Sequence, residues 1–249
     1  MPRVISWIVM PIAVVVLSGW AWAQEPSPTV TGPRTGVNSL AGGTTQSSQR
    51  ALPKDIDPGS RARLPNVKRE DFDAEGKKTY DAIVNENTPY SHGLPAPIGM
   101  WMHSPKMAQH MLPEYMYLRF GNSFGTRLTE LAILVASREI NAQYEWTAHE
   151  PWALKAGVEP EIVDMVKYRR SVTGLGEKET LIIVFGRELL GDKKVSSETF
   201  AHALKVFGQD GVTDLAGLMA FYQFLYTSSV VPFDIQLPAA SQPLLPARP

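Results

Sequence analysis

The stretch 127-RLTELAILVASREI-140 decides the fold class, because its apolar residues face most sides of a helix. A helix that is apolar on most sides is buried at the centre of a domain. A break is expected near Asn141, and 143-QYEWTAHEPWALKA-156 then resumes as a helix that ends at Gly157. Pro151 predicts a bend in this second helix. The sequence therefore predicts two neighbouring helices at the core, antiparallel if the break is a short turn.

The patterns outside this pair are also helical. Segment 105-PKMAQHMLPEYMYLRFG-121 begins with Pro105 after a Ser104 cap, and Pro113 should kink or split it. Further helical patterns lie at 70–86, 160–170, 177–191, 197–208 and 213–230. No segment has the pattern of a strand ladder. The predicted fold class is all-α, a helical bundle.

The first residues are typical of a secretory signal peptide. Arg3 precedes the apolar run 4-VISWIVMPIAVVVLSG-19, and 21-AWA-23 is a small-x-small cleavage site. This pattern predicts cleavage after Ala23 and a periplasmic or secreted protein. The alternative is an uncleaved anchor, because the run approaches the ~20 residues that span a bilayer. Pro11 and the cleavage site favour removal of residues 1–23.

Composition divides the rest of the chain into three parts. Residues 24–62 are rich in Pro, Ser, Thr, Gly and Gln, so we predict a disordered linker. Residues 63–236 form the predicted helical domain, which is long enough to bury roughly 70% of its unfolded surface. The Pro-rich segment 237–249 is predicted to be an extended tail, available to a neighbouring subunit.

Charge and cysteine content exclude several classes of function. The formal net charge is −1, and it becomes −2 once Arg3 is removed without any acid. A near-neutral chain has no electrostatic basis for binding nucleic acid or an anionic membrane. The short cluster 167-KYRR-170 is interpreted as a solvated helix face. The chain has no cysteine, which excludes structural disulfides and thiol redox chemistry.

Candidate catalytic residues lie on the two central helices. Glu145 and His149 are four residues apart, so on a helix their side chains share one face. Glu130 would approach His149 from the preceding helix, and a buried carboxylate without a partner would be costly. An acid beside an imidazole raises the imidazole pKa and fixes its tautomer, whereas an apolar wall lowers that pKa. Such a group can transfer protons next to a carbonyl near neutral pH.

Three further residues are candidates for substrate binding. Tyr144 would supply a hydroxyl donor, and Trp146 would supply a flat apolar wall. Arg127 would hold a substrate carboxylate or polarise its carbonyl. The alternative for Arg127 is a surface position at the start of its helix.

Two other interpretations of the central pair stay open. Glu145 and His149 would contribute a few tenths of a kcal/mol if they are an exposed i,i+4 pair. They would instead be metal ligands if His92, His103 or His110 joined them, but only the number of histidines supports that reading. We therefore predict no metal and no cofactor.

The segment 127-RLTELAILVASREINAQYEWTAHEPWALKAGVEPEIV-163 resembles the carboxymuconolactone decarboxylase family, which shares its fold with alkyl hydroperoxide reductase D-type (AhpD-like) proteins. The likeness rests on an Arg-x-x-Glu-Leu-Ala-Ile helix, a Glu-Trp-x-x-His segment and an Ala-Gly-Val turn. Segments 94–111 and 213–230 resemble the first and the closing helix of the family. The resemblance covers about 95–232 and is specific in 127–158.

The resemblance implies an all-α unit that assembles into trimers or hexamers, with Glu130 and His149 at the site. In the peroxidase branch a Cys-x-x-Cys pair precedes the histidine, and its positions correspond to Ala142 and Glu145 here. This departure removes the thiol peroxidase mechanism. The decarboxylase branch also lacks the pair and has an acid four residues before the histidine.

The leading hypothesis is a cofactor-free enzyme that decarboxylates or isomerises a small carboxylated or lactone substrate. His149 would protonate the carbanion or dienolate, Glu145 would orient His149, and Glu130 would be a second proton carrier. One alternative is a peroxidase or antioxidant protein, as the family name suggests. Another is a non-catalytic periplasmic protein that binds a small acidic or aromatic ligand.

Overall fold

The computed structural model describes residues 51–247. The predicted signal peptide and residues 24–50 of the predicted linker lie outside the described residues. Within 51–247 the chain is helical, and its β-structure is a single bridge between Asp57 and Ala62. The predicted all-α class is confirmed. The helices of this part of the chain are too short or too polar to cross a membrane.

Eight α-helices follow one another along the described chain. They are α1 (Ala74–Ile83), α2 (Ala96–Trp101), α3 (Pro105–Met116), α4 (Gly125–Glu139), α5 (Gln143–Lys155), α6 (Pro160–Lys167), α7 (Glu177–Gly186) and α8 (Ser197–Leu225). Three of them extend into a π-helical turn, at Tyr117–Gly121 after α3, Arg187–Asp192 after α7 and Tyr226–Val230 after α8. A short 3₁₀ turn at Arg69–Asp71 precedes α1.

Helix α4 is the buried centre of the bundle. Every residue from Thr129 to Glu139 is buried, and α4 contacts α5, α6, α7 and α8. Gly186 lets α7 approach closely, because a Cβ atom at this position would collide with Val135 of α4. The prediction that 127–140 forms the central helix is therefore confirmed.

A short turn reverses the chain between α4 and α5. Asn141 has a φ of 56°, in the left-handed region that asparagine tolerates better than most residues. The Ala142 amide donates to the Ser137 carbonyl at 2.7 Å and satisfies one of the last carbonyls of α4. Helix α5 continues through Pro151, as α3 continues through Pro113, so neither proline splits its helix.

The folded domain begins before residue 63. Ile56 is 6% exposed and Ala62 is fully buried. The Arg63 amide donates to the Phe233 carbonyl, and the Gln236 amide donates to the Arg61 carbonyl, both at 2.8 Å. Residues 51–62 are therefore not part of a disordered linker, because the segment after α8 supplies their apolar and backbone partners.

The C-terminal segment also packs on its own chain. The side chain of Leu245 is 6% exposed, and Arg138 of α4 donates from Nη1 to the Pro246 carbonyl at 2.9 Å. The Leu244 amide donates to Thr147 Oγ1 of α5 at 3.3 Å. In this chain the tail lies against the end of α4 and the start of α5.

Candidate functional site

A buried cluster of four ionisable side chains lies where α4, α5 and the π turn after α3 meet. His149 Nδ1 is 2.7 Å from Glu130 Oε2, and Arg119 Nη2 is 3.1 Å from Glu130 Oε1. Glu145 Oε2 lies 3.8 Å from the other ring nitrogen of His149. Burial at this level is costly for charged groups unless they are paired. Glu130 is paired on both carboxylate oxygens, whereas Glu145 is not.

Glu145 is the least satisfied member of the cluster. Its side chain is about 5% exposed, and its Oε1 atom makes no hydrogen bond within the described residues. An unpartnered buried acceptor costs about 1–3 kcal/mol. Native proteins contain few such groups, and those that persist call for a functional or structural reason.

Arg119 connects the cluster to α8. Its Nη1 atom is 3.3 Å from His149 Nδ1 and 3.2 Å from Nε2. Nearly equal distances to both nitrogens place the guanidinium over the imidazole face, because an in-plane approach would collide with Cε1. The same nitrogen donates to the Tyr222 hydroxyl, and Arg119 Nε is buried without a partner within residues 51–247.

Local structure explains why these side chains converge. Glu145 and His149 share one face of α5 at i,i+4 spacing. Arg119 lies in the π turn Tyr117–Gly121, where one extra residue per turn changes the direction of the side chains. Tyr222 projects from α8, and its ring meets the His149 ring edge-to-face with centroids 5.2 Å apart.

The two glutamates differ in charge state because their partners differ. Burial opposes ionisation of Glu130, but the His149 contact and the Arg119 charge outweigh it and hold the pKa of Glu130 below its ordinary value. Burial raises the pKa of Glu145 to about 7, and the Arg119 charge offsets only part of that effect. At neutral pH Glu130 is a carboxylate, whereas Glu145 is partly protonated.

His149 is neutral in this environment. Burial and then the positive charge of Arg119 lower the pKa of His149, against the opposing influence of Glu130. A carboxylate only accepts hydrogen bonds, so the proton of the neutral ring belongs on Nδ1, which faces Glu130. This tautomer leaves a lone pair on Nε2, beside Glu145.

Tyrosines surround the cluster. The hydroxyls of Tyr90 and Tyr115 are hydrogen-bonded to each other, and burial raises the pKa of both groups. Tyr144 precedes Glu145 on α5, and burial together with the Glu145 charge raises the pKa of Tyr144 to about 12. These phenols stay protonated and can donate hydrogen bonds at any physiological pH.

The structure brings together three of the six residues singled out in the sequence: Glu130, Glu145 and His149. Because all three are buried, the alternative of an exposed i,i+4 pair is wrong. Tyr144 lies beside this cluster. Trp146 does not, because it is fully buried and its indole nitrogen donates to Glu150, so it offers no free face for a ligand.

Arg127 lies at the start of α4, away from the cluster. It forms ion pairs with Glu159 and Glu179, and its Nε donates to the Gly157 carbonyl at 2.8 Å. This is the surface alternative that the sequence left open. Arg127 therefore ties α4 to the loop before α6 and to the first turn of α7.

The metal alternative has no geometric support within the described residues. No group of three or more His, Asp or Glu side chains in 51–247 is arranged to hold a metal ion. His103 lies 3.0 Å from the Pro65 carbonyl through Nε2.

Arg119 and Tyr222 complete the cluster, and the sequence analysis did not identify them. Arg119 lies among apolar and aromatic residues in 115-YMYLRFG-121, and a lone cation in such a run is the signal that was available. Tyr222 has no comparable signal, since 213–230 contains several aromatic residues at helical spacing.

Comparison with known proteins identifies the fold. No protein-family model matches the chain, and no curated protein sequence matches it. The crystal structure of an alkylhydroperoxidase AhpD core, an uncharacterized peroxidase-related protein from Ralstonia eutropha JMP134, matches 71% of this chain and 92% of its own, with a TM-score of 0.57 and 12% identity. An uncharacterized peroxidase-related protein from Silicibacter sp. TM1040 matches 80% of this chain and 99% of its own, with a TM-score of 0.56 and 12% identity. The described helices therefore have the AhpD-like fold, as the resemblance implied.

Proposed function

We propose that this chain is a cofactor-free acid/base enzyme that decarboxylates or isomerises a small carboxylated or lactone substrate. The observation that carries the proposal is a pair of buried atoms beside His149, Arg119 Nε and Glu145 Oε1, which make no hydrogen bond within residues 51–247. One is a donor and the other an acceptor that can also carry a proton. Together they suit a substrate with a carbonyl or carboxylate oxygen and a carbon that gains a proton.

From the sequence, Glu145 was expected to orient His149 and Glu130 to carry a proton. The contacts support the reverse assignment. Glu130 is ionised and holds His149 at Nδ1, which makes it the positioning residue. Glu145 has a pKa of about 7 and lies 3.8 Å from Nε2, which suits it as the proton carrier. A catalytic acid or base works best when its pKa is near the operating pH.

In the proposed decarboxylation, the bond between the substrate carboxylate and its carbon breaks and carbon dioxide leaves. The electron pair moves into the conjugated carbonyl, and Arg119 stabilises the dienolate oxygen that forms. His149 passes a proton at Nε2 from Glu145 to the carbon, which restores a neutral product. Water then returns a proton to Glu145. In isomerisation, His149 Nε2 first removes a proton and Glu145 supplies another.

The test is turnover of 4-carboxymuconolactone by the purified protein. We expect His149→Ala and Glu145→Gln to lower kcat/KM by about 10²–10⁴-fold, the usual contribution of a positioned acid/base group. Matched controls are His202→Ala and Glu159→Gln, which change exposed residues of the same types. A wild-type rate no higher than that of His149→Ala would contradict the proposal.

Two other functions are distinguished by direct measurements. The structural neighbours are described as peroxidase-related, but thiol-dependent peroxide reduction needs a cysteine, and this chain has none. Catalytic hydroperoxide consumption by metal-free protein in the presence of a non-thiol reductant would favour a peroxidase. A non-catalytic ligand-binding protein would bind a small carboxylate and leave every lactone unchanged.

A further inference from the structure

A large cavity lies between the two ends of the described chain. Its volume is about 1220 Å³, and its walls come from residues 51–53, the start of α5, the π turn after α8 and the tail 234–243. Arg61 and Asp234 are the charged residues among its described lining. The remaining lining combines amides and tyrosines with apolar residues such as Leu52 and Ile235. Apolar and polar groups contribute almost equally to the wall, so it offers both apolar contacts and hydrogen-bonding groups to a ligand.

Arg61 is fixed in place at this cavity by its backbone and one side-chain nitrogen. Its amide donates to Asp57, its carbonyl accepts from Gln236, and its Nε donates to the Leu237 carbonyl, each at 2.8 Å. No hydrogen bond joins its two terminal nitrogens to the described residues, and the side chain is only partly buried. The guanidinium is therefore held ready to form a two-point contact with a carboxylate.

The backbone of Arg61 is also unusual. Its φ is 57°, in the left-handed region that glycine and asparagine occupy more readily. Such a conformation costs about 1–3 kcal/mol in a non-glycine residue and is concentrated at functional sites. Asparagine or glycine would suit this backbone conformation better than arginine does.

The cavity leads towards the buried cluster. Tyr226 lines the cavity and lies one turn beyond Tyr222 on the same helical segment, and Tyr222 contacts His149. Tyr144 also lines the cavity and directly precedes Glu145. Burial and then the charge of Glu145 raise the pKa of both tyrosines, which agrees with a carboxyl group immediately behind them. Tyr144 and Tyr226 therefore line the side of the cavity that faces Glu145.

We propose that this cavity is the binding site for a small carboxylate with an apolar body, and that Arg61 recognises one carboxylate group. The single arginine in the lining suits a two-point contact with that group, and the lining disfavours inorganic phosphate, a dianion without an apolar body. The apolar walls cover the rest of the ligand. The inference rests on the proposed function in one respect: the bound molecule is the one on which the buried cluster acts.

The experiment measures binding separately from turnover. Isothermal titration calorimetry of the full chain uses benzoate as the probe, benzamide as its uncharged counterpart and inorganic phosphate as the dianion. The variants are Arg61→Gln, which removes the charge, and Val231→Trp, which adds bulk at the exposed rim of the cavity. The matched control is Arg63→Gln, which changes an exposed arginine two residues away that does not line the cavity.

We expect benzoate to bind the wild type, and Arg61→Gln and Val231→Trp each to weaken binding about tenfold or more, the usual scale for a lost charge-assisted contact. Arg63→Gln should bind benzoate as the wild type does, and benzamide and phosphate should bind the wild type at least about tenfold more weakly. If Arg61→Gln disturbs folding, the benzoate affinity of Val231→Trp tests the cavity instead, since this variant leaves Arg61 unchanged.

Several outcomes would overturn this inference. They are the absence of saturable benzoate binding up to about 10 mM, equal binding of benzamide, and unchanged affinity in both cavity variants. Loss of binding in His149→Ala with normal binding in Arg61→Gln would place the ligand in the buried cluster instead. Failure of the proposed function has a different signature, benzoate binding that depends on Arg61 in a protein that turns over no lactone.

Discussion

Two glutamates less than one helix diameter apart are held in different charge states by their neighbours. Glu130 has a hydrogen-bond partner on each oxygen, and one of those partners is a permanent cation. Glu145 has a distant imidazole on one oxygen and no hydrogen bond on the other within the described residues. Pairs of titratable groups whose surroundings separate their pKa values are a sign of acid/base function. The pKa shift of each glutamate leads to a separate prediction about stability.

The raised pKa of Glu145 predicts that Glu145→Gln becomes relatively more stable than the wild type as pH rises. An acid whose pKa moves from 4.5 to about 7 on folding has no effect on stability below 4.5. Between pH 4.5 and 7 the unfolded state ionises first, so the wild type loses stability, by about 3 kcal/mol at most. Glutamine has no such loss. Urea denaturation of both proteins at pH 4.5, 6 and 8 measures the difference.

The control for this prediction is Glu177→Gln. His202, which donates to Glu177, holds the pKa of this exposed carboxyl below its ordinary value. Glu177→Gln should therefore become less stable relative to the wild type as pH rises, whereas Glu145→Gln becomes relatively more stable. If the stability difference between Glu145→Gln and the wild type does not vary with pH, the pKa of Glu145 in the folded protein has its ordinary value.

The lowered pKa of Glu130 predicts the opposite response. Glu130→Gln leaves the buried Arg119 charge without its counter-ion, so we expect the free energy of unfolding at pH 7 to fall by about 3–5 kcal/mol. This contribution is present above pH 4.5 in the wild type and is lost as pH falls through the folded pKa. Chemical denaturation of both proteins at pH 7 and at lower pH measures it.

Asp81→Asn is the matched control for Glu130→Gln. It breaks the exposed ion pair with Arg69, and because water screens exposed pairs, its loss of stability should be much smaller. Equal losses in the two variants would mean that burial of the Arg119–Glu130 pair has no energetic consequence.

The sequence predicted three of the five residues of the central cluster, for a physical reason. Glu145 and His149 are neighbours on one helix, and Glu130 lies on the adjacent helix across a short turn, so local rules are enough to place them. Arg119 reaches His149 from 30 residues away, and Tyr222 reaches Arg119 from 103 residues away. No local periodicity encodes such contacts. The roles of the two glutamates depend on Arg119, so they were not predictable either.

At the scale of elements, π-helical turns place one residue of the buried cluster and one residue of the cavity. Arg119 lies within the turn after α3, and Tyr226 begins the turn after α8. A π turn adds one residue to the repeat and redirects the side chains that follow, and such turns are frequent at functional sites. Periodicity predicted both segments as helix but carries no signal for this change of register.

Helix α8 is a second case in which local rules gave part of the answer. The sequence indicated two helices, 197–208 and 213–230, and the structure has one helical segment that bends at Gly208. Gly208 has a φ of 72° and a ψ of −179°, a combination that is almost restricted to glycine. The predicted break was therefore placed correctly, while the following residues 209–212 rejoin the helix.

This bend predicts a strong dependence on glycine. Gly208→Ala should lower the free energy of unfolding by about 1–3 kcal/mol, because alanine is strained in this conformation although its Cβ atom would meet no neighbour. Gly99→Ala is the control, since Gly99 is helical and has room for a Cβ atom. There we expect a gain of about 0.4–1 kcal/mol. Thermal and urea unfolding measure the stability of both variants. Equal changes in the two variants would show that the backbone conformation at Gly208 is not the cause of the loss.

At the scale of the whole molecule, the two ends of the described chain close over the helical bundle. Residues 61–63 exchange backbone hydrogen bonds with 233–236, and the tail continues to the ends of α4 and α5. Composition suggested a linker and an extended tail because such segments contain few apolar residues. A count of apolar residues carries no information about the partners that those residues find in the fold. Ile56 and Leu245 are both buried although their segments contain few apolar residues, and Leu245 packs against the core of the bundle.

Leu245 therefore tests whether the tail is part of the fold. Leu245→Ala removes a buried side chain and should lower the free energy of unfolding by about 2 kcal/mol or more, whereas Leu244→Ala, at a partly exposed position, should cost clearly less. Urea denaturation measures both losses, and hydrogen exchange at the Leu244 amide, which donates to Thr147, reports whether the tail stays docked. A tail that only lies near the surface would give small, equal losses in the two variants and fast exchange at that amide.

A docked tail also forms a wall of the cavity at Arg61, so Leu245→Ala should weaken benzoate binding together with stability, and Leu244→Ala should spare both.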